Sequence, residues 1–138
     1  GHLEVVKLLV ESGGAAVEAE GGGGSTALHV AAKAGYRRLV KWLVTTSRLE
    51  VDTVNRKNGM TAMMYAAASG HAGVVHWLGE AGANVEARDT NGSTVLMFAA
   101  QHGHEAVVKW LVETGRAKVE TENRDGSTAL TVAAKNGH

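Results

Sequence analysis

The chain has 138 residues, 44% of them apolar and 20% charged, a balance that supports one ordinary domain with a buried core and excludes disorder. Fourteen acidic residues offset fourteen basic ones, so no bulk charge draws the chain to nucleic acid or an anionic membrane. The absence of cysteine rules out disulfides and thiolate metal sites.

A cysteine-free chain suits a reducing compartment, and residence in the cytoplasm is expected, with the nucleus also open to it. No apolar run nears the roughly 18–20 residues of a bilayer span, and no signal peptide precedes the first polar segment. Gly1 in place of an initiator methionine suggests a piece of a longer protein or a processed chain. With 18 glycines and no proline, helix stops and turns must be made by Gly, Asn, Asp or Ser.

In chain order, Leu3–Val10 (LEVVKLLV) comes first, with apolar residues at helical spacing, followed by Val17-Glu18. The run Gly21–Gly24 with Ser25-Thr26 looks like a phosphate-binding loop only in its glycines. Such a loop needs Lys before the Ser/Thr, and Gly24 stands there, so a flexible turn is the better reading. Thr26 can cap a short helix of good formers from Ala27 to Ala34, and Gly35 supplies the left-handed residue past its end. A second helix follows, with Leu39, Val40, Trp42, Leu43 and Val44 on one stripe and Arg37, Arg38 and Lys41 on the other face. After Val51-Asp52 comes Asn58-Gly59, a tight-turn dipeptide.

The pattern then recurs. STALHVAAKAGY, MTAMMYAAASGH, STVLMFAAQHGH and STALTVAAKNGH place Thr26, Thr61, Thr94 and Thr128 at steps of 35, 33 and 34. Gly35, Gly70, Gly103 and Gly137 keep those steps, with Gly1 ahead by 34, and Val17, Val51, Val85 and Val119 recur every 34. Asn91-Gly92 and Asp125-Gly126 repeat the turn. The unit is therefore helix, turn, helix and hairpin-like finger. Helices this short are marginal alone, so adjacent units must cover one another, with Ala31-Ala32, Ala66-Ala67, Ala99-Ala100 and Ala133-Ala134 allowing close approach. Trp42, Trp77 and Trp110 share one slot, filled by Leu8 in the first unit, and are expected to pack rather than to stack a ligand.

This pattern, G-x-T-x-L-x-x-A-A-x-x-G-H-x-x-V-V-x-x-L, resembles the ankyrin repeat along essentially the whole chain, most closely at TALHVAA around His29 and in the Gly-His blocks at Gly70-His71 and Gly103-His104. Ala27, Ala62, Val95 and Ala129 replace the family's proline, and Met64, Met97 and Thr131 replace its histidine. Glu18, Asp52, Glu86 and Glu120 stand where the family usually has asparagine, so hydroxylation there is not expected. The resemblance implies an all-α ankyrin-repeat solenoid forming one domain over 1–138. Residues 1–20 would be the second half of a repeat, 21–55, 56–88 and 89–122 full repeats, and 123–138 a first half. Neither end reads as a polar capping repeat, so the parent chain is expected to continue on both sides, and isolated copies to associate head to tail.

Recurring once per repeat, His2, His71, His104 and His138 read as structural, so no metal is expected even at His102-x-His104, and no cofactor. The four acids at the asparagine position could read a basic partner, but solvation or bonding to nearby backbone is preferred. Glu105 and Lys109 are spaced for an i,i+4 pair. No clustered nucleophile and base suggests catalysis. The resemblance implies instead a concave groove lined by finger tips and first helices, where Ser25, Lys33, Lys57, Asn58, Met60, Ser69, Thr90, Asn91, Ser93, Gln101, His102, Arg124, Asp125, Ser127 and Lys135 would meet a protein or peptide. This set is mildly basic and favours an acidic segment, with Lys57, Met60, Gln101 and His102 at its centre. The expected function is a protein-interaction scaffold. The alternatives are a regulatory or targeting appendage of a larger enzyme or signalling protein, and a mechanical spacer.

Overall fold

The computed structural model describes residues 2–47, 49–114 and 116–138; Gly1, counted above as the first closing glycine, lies outside them. Among the described residues there are eight helices in two classes. Inner helices of seven residues are α2 (Ala27–Lys33), α4 (Ala62–Ala68), α6 (Val95–Gln101) and α8 (Ala129–Lys135). Outer helices of nine residues are α1 (Leu3–Glu11), α3 (Arg37–Thr45), α5 (Ala72–Glu80) and α7 (Glu105–Glu113). Inner helices pack in the series α2, α4, α6, α8; outer helices pack as α3, α5, α7, and each of these three also packs on the inner helix before it. The fold is an all-α solenoid, as expected. One antiparallel bridge, Val54 to Thr61, is the whole of the strand structure among the described residues, so the fingers are turns rather than extended hairpins.

Each inner helix starts at a threonine in extended backbone and stops at a glycine of positive φ, 74° at Gly35, 76° at Gly70, 68° at Gly103 and 76° at Gly137. The stop reverses the chain because the glycine N–H and the next N–H donate back into the helix, Gly35 to Ala32 O (3.1 Å) and Tyr36 to Ala31 O (2.9 Å). His71, His104 and His138 make the same backbone bond to Ala66, Ala99 and Ala133. The rings of His71 and His104 then reach back one layer: Nε2–H donates to Lys33 O from His71 and to Ala68 O from His104, each at 3.0 Å. A Cβ on Gly35 would sit 2.6 Å from Nδ1 of His71. Glycine is thus required there twice, by φ and by the ring lying on it.

The core is continuous. Leu28, Met63 and Leu96 occupy one buried position of the inner helices, and Leu43, Leu78 and Leu111 one buried position of the outer helices. The tryptophans are half-buried against this core. Trp110 lies over the layer before it: a Cβ on Gly79 would be 2.3 Å from its Cη2. Gly79 stands where Val44 and Val112 stand in α3 and α7, so the missing side chain is the room the ring fills. His76 meets the same ring edge to face, centroids 5.4 Å apart. Lys109 pairs not with Glu105, as spacing suggested, but with Glu113 at 3.8 Å; all three are exposed, and either pair is worth only a few tenths of a kcal/mol.

His29 is fully buried. Its Nδ1 accepts from the Thr26 N–H (3.1 Å), which leaves the proton on Nε2, facing Thr53 O at 2.9 Å in the next finger. Burial pushes its pKa below the ordinary value, and the bond to Thr53 offsets only part of that. A second proton would be forced onto Nδ1, against the Thr26 N–H.

Two outcomes are expected. Gly79→Val, which restores the residue type of the neighbouring layers, should destabilise by about 1–3 kcal/mol through overpacking despite valine's better helix propensity. In urea denaturation Gly79→Val should cost much less in a Trp110→Leu background; an equal cost in both would refute the contact. For His29, the unfolded chain takes up its proton as pH falls below about 6.5, before the buried ring does. Its contribution is therefore complete above that pH and lost toward the depressed folded value. The stability advantage of wild type over His29→Gln should shrink between pH 7.5 and 5, and a constant gap would contradict this.

Candidate protein-interaction surface

The fingers set one wall of this surface. Asp89 N–H donates to Ser93 O (3.1 Å) and Gly92 N–H to Asp89 O (3.0 Å), closing a tight turn; Asn123 and Ser127 repeat it, and Gly21 with Ser25 does so in the first finger. The side chain at the finger base holds the tip from within. Asp89 Oδ1 accepts from Asn91 and Ser93 N–H (2.9 and 2.7 Å), and Asn123 Oδ1 from Asp125 and Ser127 (3.0 and 2.8 Å). Buried Asn55 goes further, accepting from Lys57 N–H (2.8 Å) and donating across to Gly23 O (3.0 Å) and Ser25 Oγ (2.8 Å). These anchors were not singled out from sequence, although Asn55, Asp89 and Asn123 recur every 34 residues with Gly21 one step earlier.

Adjacent fingers are joined. Thr90 N–H and Oγ1–H both donate to Asn58 O (3.0 Å each), and Arg124 N–H donates to Asn91 O (2.9 Å). Lys57 Nζ donates to Gly22 O (2.8 Å), so the carbonyls of the glycine run serve the next finger. Asp52 and Glu86 likewise cross to the next layer, Asp52 taking the Asn84 N–H on both oxygens (3.0 and 3.1 Å) and Glu86 the Lys118 N–H (2.9 Å). Backbone bonding thus accounts for two of the four acids; Glu18 and Glu120 are exposed.

The inner helices set the floor. Four residues after the threonine that precedes each inner helix stand Val30, Tyr65, Phe98 and Val132, a line that sequence reasoning did not pick out. Val30 is 59% exposed, and Tyr65, Phe98 and Val132 are half-buried. Its signal was variation in residue type beside the invariant alanine pair. Tyr65 ties floor to wall: its hydroxyl accepts from Asn58 Nδ2 at 3.0 Å, and its ring meets buried His29 edge to face at 5.6 Å.

Of the residues proposed from sequence, Lys33, Gln101, His102 and Lys135 are exposed at the ends of inner helices, with half-buried Ser69 beside them. Lys57, Thr90, Asn91, Arg124 and Asp125 are exposed on the fingers, and Ser25, Asn58, Met60, Ser93 and Ser127 are half-buried at finger bases or tips. Several are already engaged. Asn58 uses both ends of its amide within its own repeat, on the Met60 N–H and the Tyr65 hydroxyl, while the Thr90 hydroxyl and one ammonium proton of Lys57 reach the finger before, so these residues brace the fingers as well as facing outward. His102 donates Nδ1–H to Phe98 O (3.0 Å) and lies parallel to His104, centroids 6.0 Å apart. Among the described residues, no three His, Asp or Glu side chains gather as a metal site would require, and no helix is long and apolar enough to cross a membrane.

The charges are unevenly placed. None of the fourteen acids lies on an inner helix, where the charged residues are Lys33 and Lys135. On the fingers Asp89 turns inward, while Lys57 and Arg124 face out with Asp125.

The family model for ankyrin repeats (three copies) matches residues 1–89 and 81–138. The human protein ankyrin repeat domain-containing protein 63 is 38% identical over 95 residues, covering 64% of this chain and 24% of its own length. The chain thus spans about a quarter of that relative. Two-helix layers closed by glycine, locked by histidine and stacked through bonded fingers agree with these matches, and the chain belongs to the ankyrin-repeat family.

Proposed function

We propose that this chain is a protein-interaction scaffold that holds one segment of a partner along its inner-helix floor, between the finger tips and the ends of the inner helices. Ankyrin repeats are in general non-enzymatic interaction modules, which supports the coarse reading. The finer one is carried by a single observation, an acid-free floor with an apolar line through Val30, Tyr65 and Phe98 and a basic margin at Lys33, Lys57, Arg124 and Lys135. Such a surface suits an acidic segment bearing aliphatic or aromatic residues. The apolar line takes the side chains out of water, and the cations complement the carboxylates and speed encounter. Bonds between fingers hold the wall in place before binding, which lowers the ordering cost of association. Because the chain spans only about a quarter of its human relative, the same face also fits a regulatory or targeting appendage of a larger enzyme or signalling protein.

Peptide display against the chain should enrich sequences with Asp or Glu next to an aliphatic or aromatic residue. Affinity should fall as salt rises, because the paired charges lie at an exposed margin. Replacing Lys57, Met60 and His102 together by alanine should weaken a selected peptide at least tenfold, about 1.4 kcal/mol or more, with helical circular dichroism unchanged. Undiminished binding by that variant would move the site elsewhere.

A further inference from the structure

The line of side chains along the floor carries one polar atom. Val30, Phe98 and Val132 are hydrocarbon at this position, and Tyr65 alone adds a hydroxyl. Where that hydroxyl sends its hydrogen follows from its neighbour. One end of the Asn58 amide lies 3.0 Å from the Met60 nitrogen and the other 3.0 Å from Tyr65 Oη. A backbone N–H can only donate, so the end beside Met60 is the oxygen and the end beside Tyr65 is the NH2 group. Tyr65 Oη therefore accepts from Asn58, and its own hydrogen is turned elsewhere, with no acceptor for it among the described residues. The group is also held still. The Asn58 carbonyl accepts from the N–H and the hydroxyl of Thr90, each at 3.0 Å, and the Asn58 N–H donates to Asn55 Oδ1 at 3.3 Å. The Tyr65 ring rests edge to face on buried His29, centroids 5.6 Å apart.

We infer that Tyr65 is the residue that reads one carboxylate of the bound segment, its O–H donating to an Asp or Glu side chain while Phe98, one layer on, takes an apolar neighbour of that acid. A donor fixed between a braced amide and a braced ring is in position before anything binds, which leaves little ordering cost. Its surroundings favour a charged acceptor: no acid lies on an inner helix, and Lys57 stands beside Asn58 in the finger. An O–H donates to a carboxylate over a shorter distance and about twice as strongly as to a neutral oxygen. Tyr65 is half-buried, so salt screens such a bond less than it screens the ammonium groups at the exposed margin. This assignment rests on the floor proposed above and ranks the partner's acids: the one at Tyr65 is recognised by direction as well as charge, the others by charge alone.

Calorimetric titration tests it, with the tightest Asp-containing peptide from the display selection as probe and a counterpart for each of its acids changed to the amide. Against wild type, one Asp→Asn change in the peptide should cost about tenfold in affinity, and that cost should persist in high salt while the costs at other acids fade. Costs that vanish together at every acid would overturn the inference, and this series needs no variant of the protein. Tyr65→Phe installs the residue type that the next layer carries at this position, so helical circular dichroism should be unchanged. It should weaken the acidic peptide about tenfold and the peptide lacking the critical Asp far less. Equal losses for both peptides would show that Tyr65 acts only by bracing Asn58, and that too would overturn the inference, as would undiminished affinity in Tyr65→Phe. Binding that survives the joint replacement of Lys57, Met60 and His102 defeats the floor reading itself. Binding lost in that variant but intact in Tyr65→Phe defeats this inference alone.

Discussion

No layer of this molecule can hide its own apolar surface. An inner helix of seven residues and an outer one of nine are each shorter than an isolated helix needs in water, and each pair has apolar residues facing both neighbours. Everything else answers that constraint. Alanine pairs bring inner helices close, leucines at one fixed position bury to completion in three successive layers, and the indole of one layer occupies space that the layer before leaves empty at Gly79. Stability is then a property of neighbours, summed along the stack, rather than of any single unit.

Polar groups follow the same logic. Where helices turn over, the backbone N–H of His71 closes its own helix while its ring donates to the end of the helix before, so one residue serves two layers. Asn55 does comparable work in the fingers, with its oxygen inside its own turn and its nitrogen on the preceding one. Each such bond adds on the order of 1 kcal/mol, and losing one partner leaves a part-buried group unpaired at greater cost. A surface of variable residues can rest on this frame because bonds through invariant positions hold the frame itself.

The architecture was legible in the amino-acid order because it is written in periodic signals. Threonine starts, glycine stops and apolar stripes at helical spacing recur often enough to fix helix class, order and approximate ends, and the structural role of the Gly-His histidines followed from their recurrence. What escaped reading depended on contacts between different repeats. The need for glycine at position 79 has no mark in its own helix and comes from Trp110 lying on it in the next layer. Lys109 had carboxylates one turn away on both sides, and spacing favoured the wrong one. Tyr65 and Phe98 were not picked out, because an aromatic among alanines in a short helix looks the same whether it faces a neighbour or the finger wall. Residues proposed at the surface mostly lie there, yet the Asn58 carbonyl also accepts from both the N–H and the hydroxyl of Thr90 in the next finger, a double duty invisible without knowing which donor meets which carbonyl.

Most of the bonds between layers also share a direction. Thr90 to Asn58, Arg124 to Asn91, His71 to Lys33, His104 to Ala68, Asn84 to Asp52 and Lys118 to Glu86 all run from a donor in the later layer to an acceptor in the earlier one, with His29 to Thr53 and Arg88 to Glu122 running the other way. A column built this way has a chemical arrow. Each inner layer turns mostly hydrogens toward the layer before it and mostly lone pairs toward the layer after it, so its two faces are no more interchangeable than the two sides of a zip. Reversing one repeat within the column would set like against like at both of its borders, even if every greasy contact could be rebuilt.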